Sequence, residues 1–264
     1  MQTDKENFLF DCGRGAAQRL FQLRMPLGQV SDLFLTHLHS DHLVGIPDFW
    51  LTGWIGGRRA SLRVWGPLGT KEMVSYLEKA FQADYRSHIK NEKLPPEGYT
   101  MIAEEIREGV VYDRNGVKIT AFNVDHGEAI KPSLGYRIDY AGRSVVLSGD
   151  TRYSENLIRF SQGADVLVHE VAAAKEEMLS SPVVQGIMAH HTAPEEAGKV
   201  FAQVKPKMAV YTHLWLLGPN PVTLLTPAGL ITMTRKTYSG PLEIGEDLMV
   251  IEVGDEVKVR RPSR

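Results

Sequence analysis

The sequence predicts an α/β fold made of helices and mixed β-sheets. Short β-type runs alternate with helical patterns along the whole chain. Asn115-Gly116 and Ala141-Gly142 lie between neighbouring β-type runs and predict antiparallel hairpins, because both positions of each turn must tolerate positive φ. The composition is that of a globular protein, with 43% hydrophobic and 23% charged residues. The hairpins exclude a purely parallel, doubly wound sheet.

The strands and helices follow from apolar periodicity and from turn and cap residues. The helix over 194–204 has Thr192 before it, Pro194 in its first turn and two glutamates after the proline, and Pro221 opens the last predicted helix. The predicted strands are 7–10, 32–36, 62–65, 110–113, 117–124, 134–140, 144–148, 166–169, 208–212 and 248–253. The predicted helices are 15–23, 43–52, 70–81, 154–160, 172–179, 194–204 and 221–233.

Length and charge exclude several classes of protein. The 264 residues carry a formal net charge of −2, which argues against attachment to nucleic acid or membrane through a basic surface. A chain of this length buries enough surface to fold without a structural metal, and no composition shift marks a boundary, so we expect a single domain over 1–264.

Cys12 is the one cysteine, which excludes an internal disulfide. With no apolar signal segment or membrane span in the sequence, we expect a cytoplasmic protein.

The strongest chemical motif is Thr36-His37-Leu38-His39-Ser40-Asp41-His42, which follows the apolar run Leu33-Phe34-Leu35. Residues two apart in a strand share a face, so His37 and His39 can reach one metal ion. The chain then turns and can aim Asp41 and His42 at a second metal ion. Such a density of ligand-type side chains at a strand end is typical of a functional loop.

Three further ligand candidates close predicted strands. His126 follows the run 122–125, Asp150 follows 145–149, and His213 follows 209–212. One such residue alone is more often a cap or a satisfied polar group. The ordered set, at strand ends where α/β proteins usually build their sites, favours a common site.

These motifs together resemble the metallo-β-lactamase-fold hydrolases. The H-x-H-x-D-H run, the strand-ending His126 before Leu134-Gly135-Tyr136, Ser148-Gly149-Asp150-Thr151 and Tyr211-Thr212-His213 are similar to the branch shared by tRNase Z and the bacterial metallo-type arylsulfatases. The resemblance implies an αββα sandwich of two mixed sheets with outer helices. The family normally starts with a strand and a Gly-rich loop, whereas Phe10-Asp11-Cys12-Gly13 comes here after nine residues. We therefore expect that the first N-terminal hairpin is missing, and with it any signal for secretion or periplasmic export.

The resemblance also implies two zinc ions. It places His37, His39 and His126 on one zinc, Asp41, His42 and His213 on the other, and Asp150 between them. Imidazoles and carboxylates suit Zn²⁺, and the same set is compatible with Mn or Fe. The expected reaction is hydrolysis by a metal-bridging hydroxide, which Asp41 would orient.

A further cluster lies in Ala189-His190-His191-Thr192-Ala193-Pro194, which resembles the His-Ser-Thr motif of tRNase Z. This match gives His190 the role of protonating the leaving group, with His191 in place of the serine. Glu170 is then expected to hold the His190 ring in one tautomer. The alternative interpretation of the cluster is a helix cap by Thr192 with two incidental histidines. Trp50 and Trp54 are candidates for either a pocket wall or the core.

The sequence motifs are compatible with several substrate classes. Segments 46–54, 64–67 and 94–98 are similar to those of the arylsulfatases, so the first hypothesis is a small aryl sulfate ester. The second is a phosphodiesterase, a tRNase Z-like endonuclease. Because the interval from His126 to Asp150 has no room for the arm of tRNase Z, we expect a small-molecule partner, neither nucleic acid nor membrane. β-Lactamase or lactonase activity is a third hypothesis, and the complete ligand set disfavours a non-catalytic scaffold. Homo-oligomerisation is left open.

Overall fold

The computed structural model describes residues 1–220 and 224–262. Contacts divide the chain into two compact units, Met1–Arg107 and Glu108–Arg264, and each has its own sheet and core. Within the described ranges, no helix combines the length and hydropathy needed to cross a membrane. The single domain over 1–264 stays a prediction.

The first unit, described throughout, is built on a parallel four-stranded sheet in the order β1-β2-β3-β4. Parallel neighbours require crossover connections, and the helices of this unit supply them. The strands are β1 (Phe8–Phe10), β2 (Asp32–Phe34), β3 (Leu62–Gly66) and β4 (Met101–Glu105). The helices are α1 (Ala16–Gln22), α2 (Ser40–Leu43), α3 (Ile46–Ile55), α4 (Thr70–Ala80), α5 (Gln82–Asn91) and α6 (Pro96–Tyr99). Mixed pairing is therefore a property of the second unit.

Trp50 and Trp54 belong to the core of the first unit and do not form a pocket wall. Both are fully buried on α3. The Trp50 indole donates to the Tyr99 carbonyl at 2.5 Å, and the Trp54 indole donates to the Pro95 carbonyl at 2.8 Å. Cys12 is buried in the same core, and burial raises the pKa of its thiol to about 12. This agrees with a packing role for the single cysteine.

The buried guanidinium of Arg58 binds two backbone carbonyls near the C-terminal end of α3 in the first unit. Its Nη1 donates to the Trp50 carbonyl at 3.0 Å and its Nη2 to the Leu27 carbonyl at 3.1 Å, over the ring of Phe49. Burial lowers the pKa of Arg58 to about 10, so the group stays charged at neutral pH. The approach is close, because a Cβ at Gly53 would lie 2.4 Å from Nη2. Arg58 therefore fixes the end of α3 against the segment before β2.

Arg58→Ala is expected to lower the free energy of unfolding by about 2–4 kcal/mol, since two buried carbonyls lose their donor. Urea unfolding followed by circular dichroism measures the change. Arg59→Ala is the matched control, because the neighbouring Arg59 is exposed. Equal stability of the Arg58 variant and the wild type would show that this anchor contributes nothing.

The described part of the second unit contains a mixed seven-stranded sheet in the order β11-β10-β9-β8-β7-β6-β5, and a separate hairpin of β12 and β13. The strands are β5 (Gly109–Arg114), β6 (Val117–Val124), β7 (Ser133–Tyr140), β8 (Arg143–Leu147), β9 (Val166–Ala174), β10 (Met208–Leu217), β11 (Leu242–Ile244), β12 (Val250–Val253) and β13 (Val257–Arg260). The helices are α7 (Glu155–Ser161), α8 (Pro182–Met188), α9 (Pro194–Val204) and α10 (Pro227–Thr234). Helix α7 packs on β6 and β7, and α9 packs on β9 and α10.

The predicted hairpins and the best-signalled helix are confirmed. Asn115 and Gly116 join β5 to β6 with φ of 52° and 80°, and Ala141 and Gly142 join β7 to β8 with φ of 49° and 73°. Both turns thus use positive φ at both central positions, as a tight two-residue hairpin requires. Helix α9 begins at Pro194, as its start signals indicate.

The helix predicted over 172–179 is wrong. Ala172, Ala173 and Ala174 continue β9 and pair with Trp215, Leu216 and Leu217 of β10. Alanine favours helix intrinsically, but the ladder with β10 satisfies the backbone and overrides that preference. The predicted helix start at Pro221 lies outside the described residues, and α10 begins at Pro227.

Candidate metal centre

In the first unit, two histidines converge where β2 ends. The Leu35 amide still donates to the Trp65 carbonyl at 2.7 Å, and the chain then leaves the sheet. His37 Nε2 lies 3.0 Å from His39 Nδ1, so both rings direct a nitrogen to one place. Neutral imidazole nitrogens converging in this way fit a shared divalent cation.

Asp11 binds the ring nitrogen of His42 that is not directed at Asp41. His42 Nδ1 donates to Asp11 Oδ2 at 2.7 Å, and Thr36 donates its amide to Oδ1 at 2.8 Å and its hydroxyl to Oδ2 at 2.9 Å. This pairing keeps the proton on Nδ1 and turns His42 Nε2 toward Asp41, whose Oδ2 is 3.6 Å away. A carboxylate behind a histidine is the usual support for a metal ligand. Asp11 was not among the predicted site residues, although it follows a strand directly in Phe10-Asp11-Cys12-Gly13.

Asp11→Asn is expected to weaken metal binding by the first-unit ligands about 10- to 100-fold, because the amide is a weaker acceptor for the His42 proton. Asparagine tolerates the positive φ of 55° at this position, so the backbone is preserved. Competition with a metallochromic chelator measures the affinity. Asp48→Ala, at an exposed carboxylate on α3, is the control. Unchanged affinity in Asp11→Asn would exclude the supporting role.

Two glycines allow the loop that carries Asp41 and His42 to pack closely against the segment that follows β1. The Cys12 amide donates to the His42 carbonyl at 2.8 Å, and the Gly45 amide donates to the Cys12 carbonyl at 2.9 Å. A Cβ at Gly13 would lie 2.3 Å from the Asp41 carbonyl oxygen, and a Cβ at Gly45 would lie 2.2 Å from the Gly13 carbonyl oxygen. Only glycine permits this approach, which fixes Asp41 and His42.

In the second unit, Asp150 lies between two histidines. His126 follows β6, Asp150 follows β8, and His213 interrupts β10 with a φ of 46° at the irregularity between Thr212 and Leu214. Asp150 Oδ2 is 3.8 Å from His126 Nε2 and 3.5 Å from His213 Nε2. His126 Nδ1 donates to the His190 carbonyl at 2.9 Å, which leaves Nε2 as an acceptor. One buried carboxylate oxygen thus lies close to the Nε2 atoms of two imidazoles.

Glu170 contacts the ring of His191 and not that of His190, for which the supporting role was predicted. Glu170 Oε2 lies 3.0 Å from His191 Nδ1, and Oε1 accepts from the Thr192 amide at 2.8 Å. His191 and Glu170 are buried, whereas His190 is exposed and accepts from His126 through its backbone carbonyl. In the turn before α9, the His190 ring is thus exposed, whereas the side chains of His191 and Thr192 are buried.

The His191 ring lies beside the second-unit ligands. Its centroid is 5.0 Å from that of His126 and 5.6 Å from that of His213, and a ring nitrogen lies within 4.8 Å of ligand atoms of His126 and Asp150. Burial raises the pKa of Glu170 to about 7, while its contact with His191 acts in the opposite direction. A buried pair of this kind can hold and deliver a proton.

His88 and His169 have structural roles. His88, on α5, contacts Asp84 of the same helix and Glu92 directly after it, and packs its ring edge on Trp54. His169 is fully buried, donates from Nδ1 to the Glu170 carbonyl at 2.5 Å and packs against Phe201. Burial lowers the pKa of His169 to about 4, so its ring is neutral at physiological pH.

Comparison with known proteins agrees with this geometry. The model of the β-lactamase superfamily domain matches residues 6–214. Ribonuclease Z of Mycolicibacterium gilvum is 34% identical over 260 residues, covering 94% of this chain and 86% of the relative. Ribonuclease Z of Mycobacterium bovis is 34% identical over 262 residues, covering 96% and 90%.

Solved structures share the fold. The metallo-β-lactamase fold protein YhfI of Bacillus subtilis aligns with a TM-score of 0.70 at 20% identity, covering 93% of this chain and 87% of that chain. The short form of human tRNase Z also aligns with a TM-score of 0.70, at 19% identity, covering 96% and 91%.

These relatives correct the expected partner. The sequence predicted a small ester and no nucleic acid as partner, and that prediction is wrong, because the curated relatives are named Ribonuclease Z. Its arguments were the net charge of −2 and the short interval between His126 and Asp150. A net charge averages over the whole surface and does not describe the field at a site rich in cation ligands. The arylsulfatase hypothesis loses its support with the same finding.

The fold, the family match and the histidine and aspartate clusters agree. Mixed pairing in the sheet of the second unit and helices around the strands are those of the metallo-β-lactamase α/β fold. The clusters offer nitrogen and carboxylate donors suited to divalent metal ions. The chain belongs to the metallo-β-lactamase-fold superfamily and is a metal-dependent hydrolase.

Proposed function

We propose that this hydrolase is a phosphodiesterase that cleaves RNA, as an endonuclease on tRNA precursors. The observation that carries the proposal is the second-unit cluster, in which Asp150 faces His126 and His213 while the pair of Glu170 and His191 lies beside it. The pair adds a proton donor to a metal-binding cluster, and an alkoxide leaving group requires one. The names Ribonuclease Z and tRNase Z among the relatives support this substrate.

The proposed metal ligands are the seven residues of the resemblance, and zinc is the proposed metal. The donor set fits, because backbone or side-chain oxygens hold Nδ1 of His42 and His126 and leave Nε2 for a cation. When bound by these residues, metal ions would supply Lewis-acid stabilisation of the charge that develops on the phosphoryl group. The ligands are His37, His39, Asp41, His42, His126, Asp150 and His213.

Side chains of the protein transfer the protons, orient the attacking water and position the histidines. Water attacks the phosphorus, one P–O bond breaks, and the departing ribose oxygen takes up a proton. His191 delivers that proton, and Glu170 holds the ring and stabilises its charged form. Asp41 accepts a hydrogen bond from the attacking water, orients it and takes up the proton that the water loses as the new P–O bond forms. Asp150 positions both histidines of its cluster.

A substrate panel tests the proposal. Zinc-loaded protein is incubated with a tRNA precursor carrying a 3′ extension, with bis(p-nitrophenyl) phosphate and with p-nitrophenyl sulfate. The expected result is endonucleolytic cleavage of the precursor at one position, with kcat/KM orders of magnitude above that for the sulfate ester. Faster hydrolysis of the sulfate than of either phosphodiester would overturn the proposal.

A further inference from the structure

Trp215 is an exposed aromatic residue beside the proposed proton donor. It lies on β10, two residues after His213, and pairs with Ala172 of β9. Its ring centroid is 6.1 Å from that of His191 and 6.2 Å from that of His213, yet the residue is 37% exposed. One part of the indole therefore contacts the two imidazoles, and another part faces solvent.

The side chains of the other three tryptophans pack against other residues of the protein, and their indole N–H groups are hydrogen-bonded. Trp50 and Trp54 are fully buried, with indole N–H groups bonded to backbone carbonyls. Trp65 stacks on Phe34 at 5.7 Å and donates to Asp32 at 2.9 Å. Trp215 differs, since more than a third of its surface is exposed. Leaving a large apolar ring in water is unfavourable, and a ligand that covers the ring would recover that free energy.

The position of Trp215 fits a nucleobase. In a polynucleotide each phosphodiester is flanked by bases, and successive bases stack about 3.4 Å apart, so a ring some 6 Å from His191 is within reach of a base next to the reacting phosphate. An indole face accepts any base, which suits cleavage of RNAs that differ in sequence.

We propose that Trp215 stacks on a nucleobase flanking the scissile phosphodiester and so positions single-stranded RNA for cleavage. The inference rests on the proposed function for the identity of the ligand. It adds a substrate-positioning residue outside the metal ligands and outside the pair of Glu170 and His191.

Binding is measured separately from cleavage. The zinc-loaded protein is titrated with a five-nucleotide single-stranded RNA, and tryptophan fluorescence is recorded. Wild-type fluorescence is expected to fall on binding, and Trp215→Phe, which keeps an aromatic face, is expected to retain affinity without the quench. Trp215→Ala is expected to raise Kd about 10-fold, a loss typical of one base–aromatic stack, when binding is followed with labelled RNA. Circular dichroism and zinc content check that the variants are folded and loaded.

Cleavage assays identify the contact with the base. Precursors with an abasic nucleotide on either side of the scissile bond are compared with the intact precursor. We expect one abasic substitution to raise KM for the wild type and to have no further effect in Trp215→Ala. Phe21→Ala, which removes a 78% exposed aromatic residue on α1, is the control and should behave as the wild type.

The outcomes separate the two proposals. Cleavage of the precursor with equal Kd and KM in wild type and Trp215→Ala would overturn the stacking role and leave the proposed function standing. Quenching and the loss of affinity in Trp215→Ala without any cleavage of RNA would overturn the proposed function and keep Trp215 as an RNA contact. Failure to bind and to cleave RNA would overturn both.

Discussion

Replacement of Asp150 by alanine is expected to remove bound metal and to lower RNA cleavage about 10³-fold or more. Asp150 is buried, and its Oδ2 lies within 3.8 Å of Nε2 of both His126 and His213. Without this carboxylate the two imidazoles lose the negative charge that would balance divalent cations between them. Loss of one positioned electrostatic group already costs roughly 10²- to 10³-fold in rate, and here the cations are lost as well. Inductively coupled plasma mass spectrometry gives the metal content, and the precursor assay gives the rate.

Asp139→Ala is the matched control for the Asp150 variant. Asp139 lies on β7 of the same unit and contacts Arg137 through its carboxylate. Its removal is expected to leave the metal content and kcat unchanged. Retention of two metal ions per chain in Asp150→Ala would exclude the bridging role, and full activity without metal would exclude metal-dependent hydrolysis of RNA.

His191→Ala is expected to lower kcat for RNA about 10²- to 10⁴-fold, whereas His190→Ala is expected to have little effect. The difference follows from the turn before α9. His191 is buried with its Nδ1 on Glu170, while His190 contributes its backbone carbonyl to His126, and alanine keeps that carbonyl. Rates with a series of phosphodiesters of differing leaving-group pKa give the measurement. The loss in His191→Ala should grow as the leaving group becomes more basic.

Glu170→Gln separates positioning from proton transfer in the same series. The amide can still accept from the Thr192 backbone but cannot stabilise a charged His191 ring, so a loss of about 10- to 100-fold is expected, smaller than that of His191→Ala. The assignment of the proton donor fails if His190→Ala loses as much activity as His191→Ala, or if the loss is the same for every leaving group.

Strong local signals predicted much of the fold. The two hairpin turns and α9 lie where the sequence indicates, because turn and cap residues satisfy the backbone locally. The prediction failed at 172–174, where the partner strand β10 lies far along the chain and its ladder decided the conformation. Trp50 and Trp54 illustrate the same limit, since an aromatic pair in a helix has the same sequence pattern in a core and in a pocket wall.

The candidate site was predictable to the level of residue type. The short run His37-Leu38-His39-Ser40-Asp41-His42 identifies ligand chemistry, because few other functions require such a density of imidazole and carboxylate groups. Trp215 and Asp11 gave no comparable signal, since a single tryptophan in a strand and a single aspartate after one are common. The partner was misjudged because net charge averages over the whole surface and the length of one interval describes a single insertion, so neither describes the chemistry of the site.

Residue types and their spacing along the chain are enough to identify which side chains are available for metal chemistry and near which strand ends they lie. Packing of distant segments sets which ring nitrogen of His42 and of His126 is hydrogen-bonded, and which of His190 and His191 is buried. The reason is distance along the chain, because Asp11 holds His42 from 31 residues away and the His190 carbonyl holds His126 from 64 residues away. Hydrogen bonds of this kind set the tautomer and direction of a ring, and they exist only after the segments have packed.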